Sequence, residues 1–195
     1  MKHIPIDKLE ATIAEELGVH HNFAQVYLSG TSGARASVWQ PPHPLLAIIR
    51  PTVILLQIGS NDIAKGVQPH IVVRSIESIA KILTRRYQAV VGILAILPRE
   101  THLSVTIDEF EWARNKVNYS LGGIIRRESD IIFINHKGFA ESDSNVGKVV
   151  KSVWEWSRDG THPSGFYGRA LYKRSLRRAL LRAWSLRFNP TQLPP

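Results

Sequence analysis

The sequence predicts an α/β fold built on a parallel sheet. Three short runs carry this expectation: "TVILLQI" (52–58), "AVVGILAILP" (89–98) and "DIIFINH" (130–136). Each is nearly all apolar, the pattern of a strand buried on both faces of a parallel sheet. Helix-length segments separate them, and strands alternating with helices indicate this architecture. A length of 195 residues with 44% hydrophobic content suits one domain with a sizeable core. No internal repeat, low-complexity block or linker divides the chain. One domain over 1–188 is expected, with "NPTQLPP" (189–195) as a frayed, flexible tail.

The elements follow in order. Ile6, Leu9, Ile13 and Leu17 have helical spacing over 5–18, and Gly18 offers a C-terminal stop. "FAQVYLSG" (23–30) is an apolar run ending in glycine and predicts a strand. "TSGARASVW" (31–39) reads as a glycine-containing turn entering a less regular segment. The strand over 52–58 is the clearest. An amphipathic helix follows over 69–87, with Ile71, Val72, Ile76, Ile79, Ile82 and Leu83 on the 3.6-residue period. A strand over 89–98, a second long helix over 107–127 and a strand over 130–136 come next. "NVGKVVKSVWEW" (145–156) fits either a short helix or a loop. Ser164 can cap a final helix over 165–186. In parallel sheets, functional residues gather in the loops outside the carboxyl ends of the strands. Gly33, Asn61 and His136 are placed that way.

Charge is unevenly distributed. The formal net charge is +9, yet no acidic residue follows Asp159, while Arg169, Lys173, Arg174, Arg177, Arg178, Arg182 and Arg187 do. A basic terminal helix can meet nucleic acid or an anionic membrane surface, and a solvated outer face is the commoner reading of such a run. The absence of cysteine excludes disulfides, thiolate metal sites and a cysteine nucleophile. It agrees with a reducing compartment. "MKHIPIDKLEATIAEELG" is charged throughout and lacks the apolar stretch of a secretory signal. No apolar run is long enough to span a bilayer. An intracellular, cytoplasmic location is expected. The adjacent pair His20 and His21 lacks carboxylate partners nearby and makes a poor ligand set, so no metal is expected.

Three stretches carry chemistry: "SGTSGAR" (29–35), "IGSND" (58–62) and "SRDGTHPSG" (157–165). Taken singly, each has an ordinary explanation. Asn61–Asp62 is turn chemistry, Gly33 a tight turn and Asp159–Gly160 a loop signal. In this order, over this strand–helix rhythm, they resemble the SGNH (GDSL-like) hydrolase family. The resemblance implies a flavodoxin-like three-layer sandwich with a parallel sheet, and a site needing no cofactor. It also implies residue roles. Gly33 would offer its backbone N–H, and Asn61 its side-chain amide, to an oxyanion. His162 would be the general base and then the acid, and Asp159 would fix its tautomer. Donors aimed at the developing charge of a tetrahedral intermediate are each worth about 10²–10³ in kcat. Glycine permits close approach of backbone and substrate. Pro163 disfavours helical geometry at His162 and helps keep it in a loop. His136 has no counterpart and reads as an ordinary loop histidine.

The family nucleophile is a serine in a Gly-Asp-Ser block after the first strand, and no Gly-Asp-Ser occurs here. "MKHI" is similar to the residues that follow that block, so Met1 would sit just after the serine. The resemblance therefore implies that the first, central strand is lacking, along with its nucleophile. The strands over 23–30 and 52–58 would lose the neighbour between them. Either the start is cut short or the protein is degenerate and of low stability, and the chain as written should be inactive. Ser29, Ser32 and Ser60 lie near the proposed site, but not at the end of a central strand. A complete relative would hydrolyse a small acyl or acetyl ester. The alternative is a non-catalytic binding module for anionic lipid or nucleic acid through the basic final helix. Similar esterase domains also occur in the first open reading frame of some animal retroelements.

Overall fold

The computed structural model describes residues 17–18, 25–27, 30–39, 44–99, 103–125, 129–136, 141–142, 149–150, 155–156 and 163–188. Three strands form the sheet: β1 (Val53–Leu56), β2 (Val90–Leu94) and β3 (Ile131–Ile134), in the order β1-β2-β3. All pairings are parallel, with Val53 opposite Val90 and Val91 opposite Ile131. Each strand lies inside its predicted run and is shorter than it. Parallel neighbours need a crossover connection, and the two long helices α3 (Pro69–Tyr87) and α4 (Ile107–Ile125) supply it.

Alternate strand residues face opposite sides, and this builds three layers. Ile54, Leu56, Val91, Ile93, Ile131 and Phe133 pack on one side with α3 and α4. Leu55, Leu94, Ile132 and Ile134 pack on the other with Leu176 and Ala179 of α5 (Gly165–Phe188). The result is a parallel sheet between helical layers, the architecture of a flavodoxin-like sandwich. Gly92 lies in the middle strand. A Cβ there would come within 2.8 Å of Leu55 Cδ2 and 3.0 Å of Ile134 Cδ1, so a missing side chain lets the outer strands close over it.

Two short helices, α1 (Pro44–Ile49) and α2 (Ser60–Ala64), and a 3-10 turn at Ala36–Val38 complete the described core. The α3 helix starts with Pro69 in its first turn, where a missing N–H costs nothing, and stops at Gln88 in the left-handed region. Arg85 and Arg86 in its last turn complement the helix dipole. Its buried face is Val72, Val73, Ile76, Ile79, Ala80 and Leu83. Ile71 and Ile82, expected on that face, are exposed. The apolar stripe is rotated by one flank: Val73 and Ala80 are buried in the core, and Ile71 and Ile82 are not. Each fully buried Ile or Val contributes about 1.5–3 kcal/mol.

Several sequence expectations need correction. The strand over 23–30 is not formed at Gln25–Tyr27 or Gly30. A strand requires a ladder partner, and among the described residues none pairs with this run. The outer edge of β1 likewise carries no strand among the described residues. Consistent with an edge position, all four β1 residues are half-buried, while all five of β2 are buried. Of the segment 145–156, only 149–150 and 155–156 are described, and both are short strands. Val149–Val150 (β5) pairs antiparallel with Glu141–Ser142 (β4), and Glu155–Trp156 (β6) with Pro163–Ser164 (β7). The final helix runs to Phe188, past the expected end at residue 186. Of the helix expected over 5–18, only 17–18 are described. Leu17 is buried, and Gly18 has φ +63°, in the left-handed region that glycine enters freely.

Candidate active site

The turn at 31–34 is closed by Ala34 N–H donating to Thr31 O at 3.2 Å. Gly33 has φ +72°, the left-handed value that the third position of a type II turn demands. A Cβ at Gly33 would meet nothing within 4 Å. Backbone conformation, not crowding, therefore calls for glycine, and the outer side of the turn is open.

The IGSND block holds this turn from below. Asp62, in the first turn of α2, is 0% exposed. Its Oδ2 accepts from Ala36 N–H at 2.7 Å and its Oδ1 from Ser37 N–H at 3.0 Å. Bonds from N–H groups to a carboxylate are among the strong ones. Beside it, Asn61 Nδ2 donates to Ala34 O at 3.0 Å, and Asn61 Oδ1 accepts from Arg99 Nη1 at 2.9 Å. A guanidinium has only donors, so it selects the oxygen of the amide and turns the nitrogen toward the Gly33 turn. That nitrogen carries a second hydrogen besides the one given to Ala34. Gly59 sets the approach of α2: its φ is +111°, and a Cβ would lie 2.9 Å from Ile96 Cδ1 and 3.0 Å from Ile76 Cδ1.

Arg99 is placed by the chain leaving β2. Ile96 N–H donates to Asn118 Oδ1 at 2.9 Å, and Asn118 Nδ2 donates back to Ile96 O at 3.0 Å. One side chain on α4 thus occupies both backbone groups of a buried residue three positions before Arg99. Arg114 adds a longer bond to Ile96 O at 3.4 Å while paired with Glu111 at 2.6 Å. Arg99 itself is 9% exposed.

A second polar cluster lies on the far side of the sheet, at the carboxyl ends of β1 and β3. His136 is not an ordinary loop histidine. It is 6% exposed, with Nδ1 2.7 Å from Ser175 Oγ. Burial lowers its pKa from 6.5 to about 4, so the ring is neutral at pH 7. Tyr172 stacks at a tilt, 5.7 Å from the His136 ring, and its hydroxyl donates to Gln57 Oε1. Burial raises the Tyr172 pKa. These contacts anchor α5 to the sheet. The β6–β7 pairing in turn sets Trp156 opposite Pro163, just before α5 begins.

Two of the four predicted site residues are brought together: Asn61 bonds the residue next to Gly33. Asp159 and His162 lie outside the described residues, in the connection 157–162. Ser32 sits in the exposed turn and Ser60 opens α2, while Ser29 is outside the described residues. The sequence reading missed Asp62, Arg99 and Asn118. Asp62 was legible as the last residue of IGSND, but turn chemistry accounted for it. Among the described residues, no cluster of three potential metal ligands occurs, and no helix is long and apolar enough to cross a membrane.

No protein-family model matches the chain, and no curated protein does. Among solved structures, it is similar to one described as "a putative platelet activating factor from Streptococcus pneumonia". The two are 19% identical, with a TM-score of 0.59, and the match covers 91% of this chain and 78% of the other. At that identity the likeness shows a shared fold.

Proposed function

We propose that residues 1–188 form one domain, an SGNH-type ester-hydrolase scaffold that supplies oxyanion donors and an acid–base pair. The observation that supports this reading most directly is the placement of Asn61. Its amide nitrogen lies against the open Gly33 turn, its oxygen is engaged by Arg99, and the 3-10 turn that follows is clasped by Asp62. In this reading the Gly33 N–H and the second Asn61 amide hydrogen meet the developing oxyanion. His162 moves the proton, and Asp159 holds its ring. The substrate is a small acyl or acetyl ester, and the location is cytoplasmic.

No residue of the chain takes the nucleophile's place in this reading, so residues 1–195 alone turn over an activated acetyl ester no faster than buffer. Adding an apolar strand ending in Gly-Asp-Ser ahead of Met1 gives hydrolysis that is lost in His162→Ala and reduced about 10²–10³-fold in Asn61→Ala. Labelling of the unextended chain by a fluorophosphonate at Ser32 or Ser60 refutes this assignment.

A second function is favoured by one observation. The α5 helix carries all seven lysines and arginines that follow Asp159, and no acidic residue. We propose that this helix binds an anionic partner through Arg169, Lys173, Arg174, Arg177, Arg178 and Arg182. Retention on an anionic support that is lost on charge reversal along α5 tests it.

A further inference from the structure

The α5 helix buries Gly168, Ser175, Ala179 and Ala183 and turns Arg174, Arg178 and Arg182 outward, all three exposed. Spaced four residues apart, these arginines stand one above another, about 6 Å apart along the helix. Like charges one turn apart repel. Among the described residues, no acidic group forms an ion pair with any of the three. Such a row weakens the isolated helix, and among the described residues no acidic partner offsets it.

Apolar surface interrupts the basic face at one place. Leu181 is 52% exposed beside the row, and Phe188, 51% exposed, closes its C-terminal end. The Phe188 ring rests on Trp184, with centroids 4.4 Å apart. A planar ring backed by a second one, at the end of a line of guanidinium groups, suits a chain of phosphates that also carries flat bases. Guanidinium groups take phosphate oxygens two at a time, and aromatic rings stack on bases irrespective of sequence. A lipid surface fits less well. An interfacial helix lays an apolar face into the bilayer, and here the face holding Leu176, Ala179 and Ala183 is turned into the sheet.

We propose that the outer face of α5 is a nucleic-acid surface, with Arg174, Arg178 and Arg182 on successive phosphates and Phe188 stacked against a base of a single strand. This rests on the anion-binding reading of α5 and is independent of the ester-hydrolase reading.

The test is fluorescence anisotropy of residues 1–195 with a short labelled single strand, over about 50 to 200 mM salt. Binding should fall steeply with salt. Reversing Arg174, Arg178 and Arg182 to Glu together should weaken it at least about tenfold and flatten the log–log slope by about 2, three single-strand phosphates at about 0.7 each. Phe188→Ala should weaken binding at least about fivefold for the single strand, and less for a duplex. Circular dichroism confirms that each variant is folded. Reversing Arg85 and Arg86 on α3, exposed but elsewhere, controls for net charge. An equal loss per charge in that variant overturns the assignment to α5. Absence of oligonucleotide binding with α5-dependent binding to vesicles rich in anionic lipid overturns nucleic acid as the partner and leaves the anion-binding reading standing. Absence of both overturns the two together.

Discussion

Acidification should destabilise the protein through His136, by an amount the site itself sets. The imidazole is buried against Tyr172 and Ser175, and desolvation holds its pKa at about 4 against 6.5. In the unfolded chain the ring regains its ordinary affinity for protons. Above pH 6.5 the ring is neutral in both states, and it contributes no pH dependence. Between pH 6.5 and about 4 the unfolded state binds more protons, so stability falls as the pH falls, and it levels off below the folded value. Each pH unit in that window is worth about 1.4 kcal/mol, so the full loss approaches about 3 kcal/mol. That is a large share of the stability of a typical domain. Urea unfolding, followed by tryptophan fluorescence across this window, measures the loss. Carboxylates titrate in the same range, so the quantity to compare is the slope of the native protein minus that of His136→Gln. The difference should be positive and vanish above pH 6.5. Equal slopes refute the argument, as does an NMR titration placing the His136 ring near 6.5 in the folded protein.

Three substitutions address the clasp around the Gly33 turn. Asp62→Ala leaves the Ala36 and Ser37 amides without their carboxylate and should cost about 3 kcal/mol or more in chemical denaturation, at about 1.5–3 kcal/mol per bond to a charged group. Gly59→Ala forces an unfavourable φ and a contact of 2.9 Å, and should cost about 2–5 kcal/mol in the same assay. Asn118→Ala removes the acceptor of the buried Ile96 N–H and leaves its carbonyl only the longer bond from Arg114. It should cost about 1–3 kcal/mol in the same assay.

Particular residues show what was legible beforehand. The three sheet strands were, because a strand covered on both faces must be apolar without interruption, and such runs leave few alternatives. The α3 helix was legible as a helix but not in its orientation. A 3.6-residue stripe does not say which flank its neighbours will cover, and the fold buries Val73 and Ala80 rather than Ile71 and Ile82. The two-residue strands near the C-terminal end are too short for any periodicity to register. Gly33 and Asn61 were found through their motifs. Arg99 and Asn118 were not, because what defines them is a bond across the fold. Arg99 meets Asn61 at a sequence separation of 38, and Asn118 meets Ile96 at 22. His136 was misread for a similar reason: its environment is made by Tyr172 and Ser175, two helical residues far along the chain.

The Asp62 clasp also gives the amides of Ala36 and Ser37 an unusual kind of protection. They sit in a short 3-10 turn whose own ladder cannot shield them, and a carboxylate 25 and 26 residues away does so instead. Their exchange with deuterated solvent therefore reports the parting of this turn from α2 rather than the melting of a helix or strand. Local openings of this kind have free energies of their own, below that of global unfolding. Two backbone protons thus act as a gauge of how often the turn carrying Gly33 lifts away from α2 while the sheet beneath it stays whole.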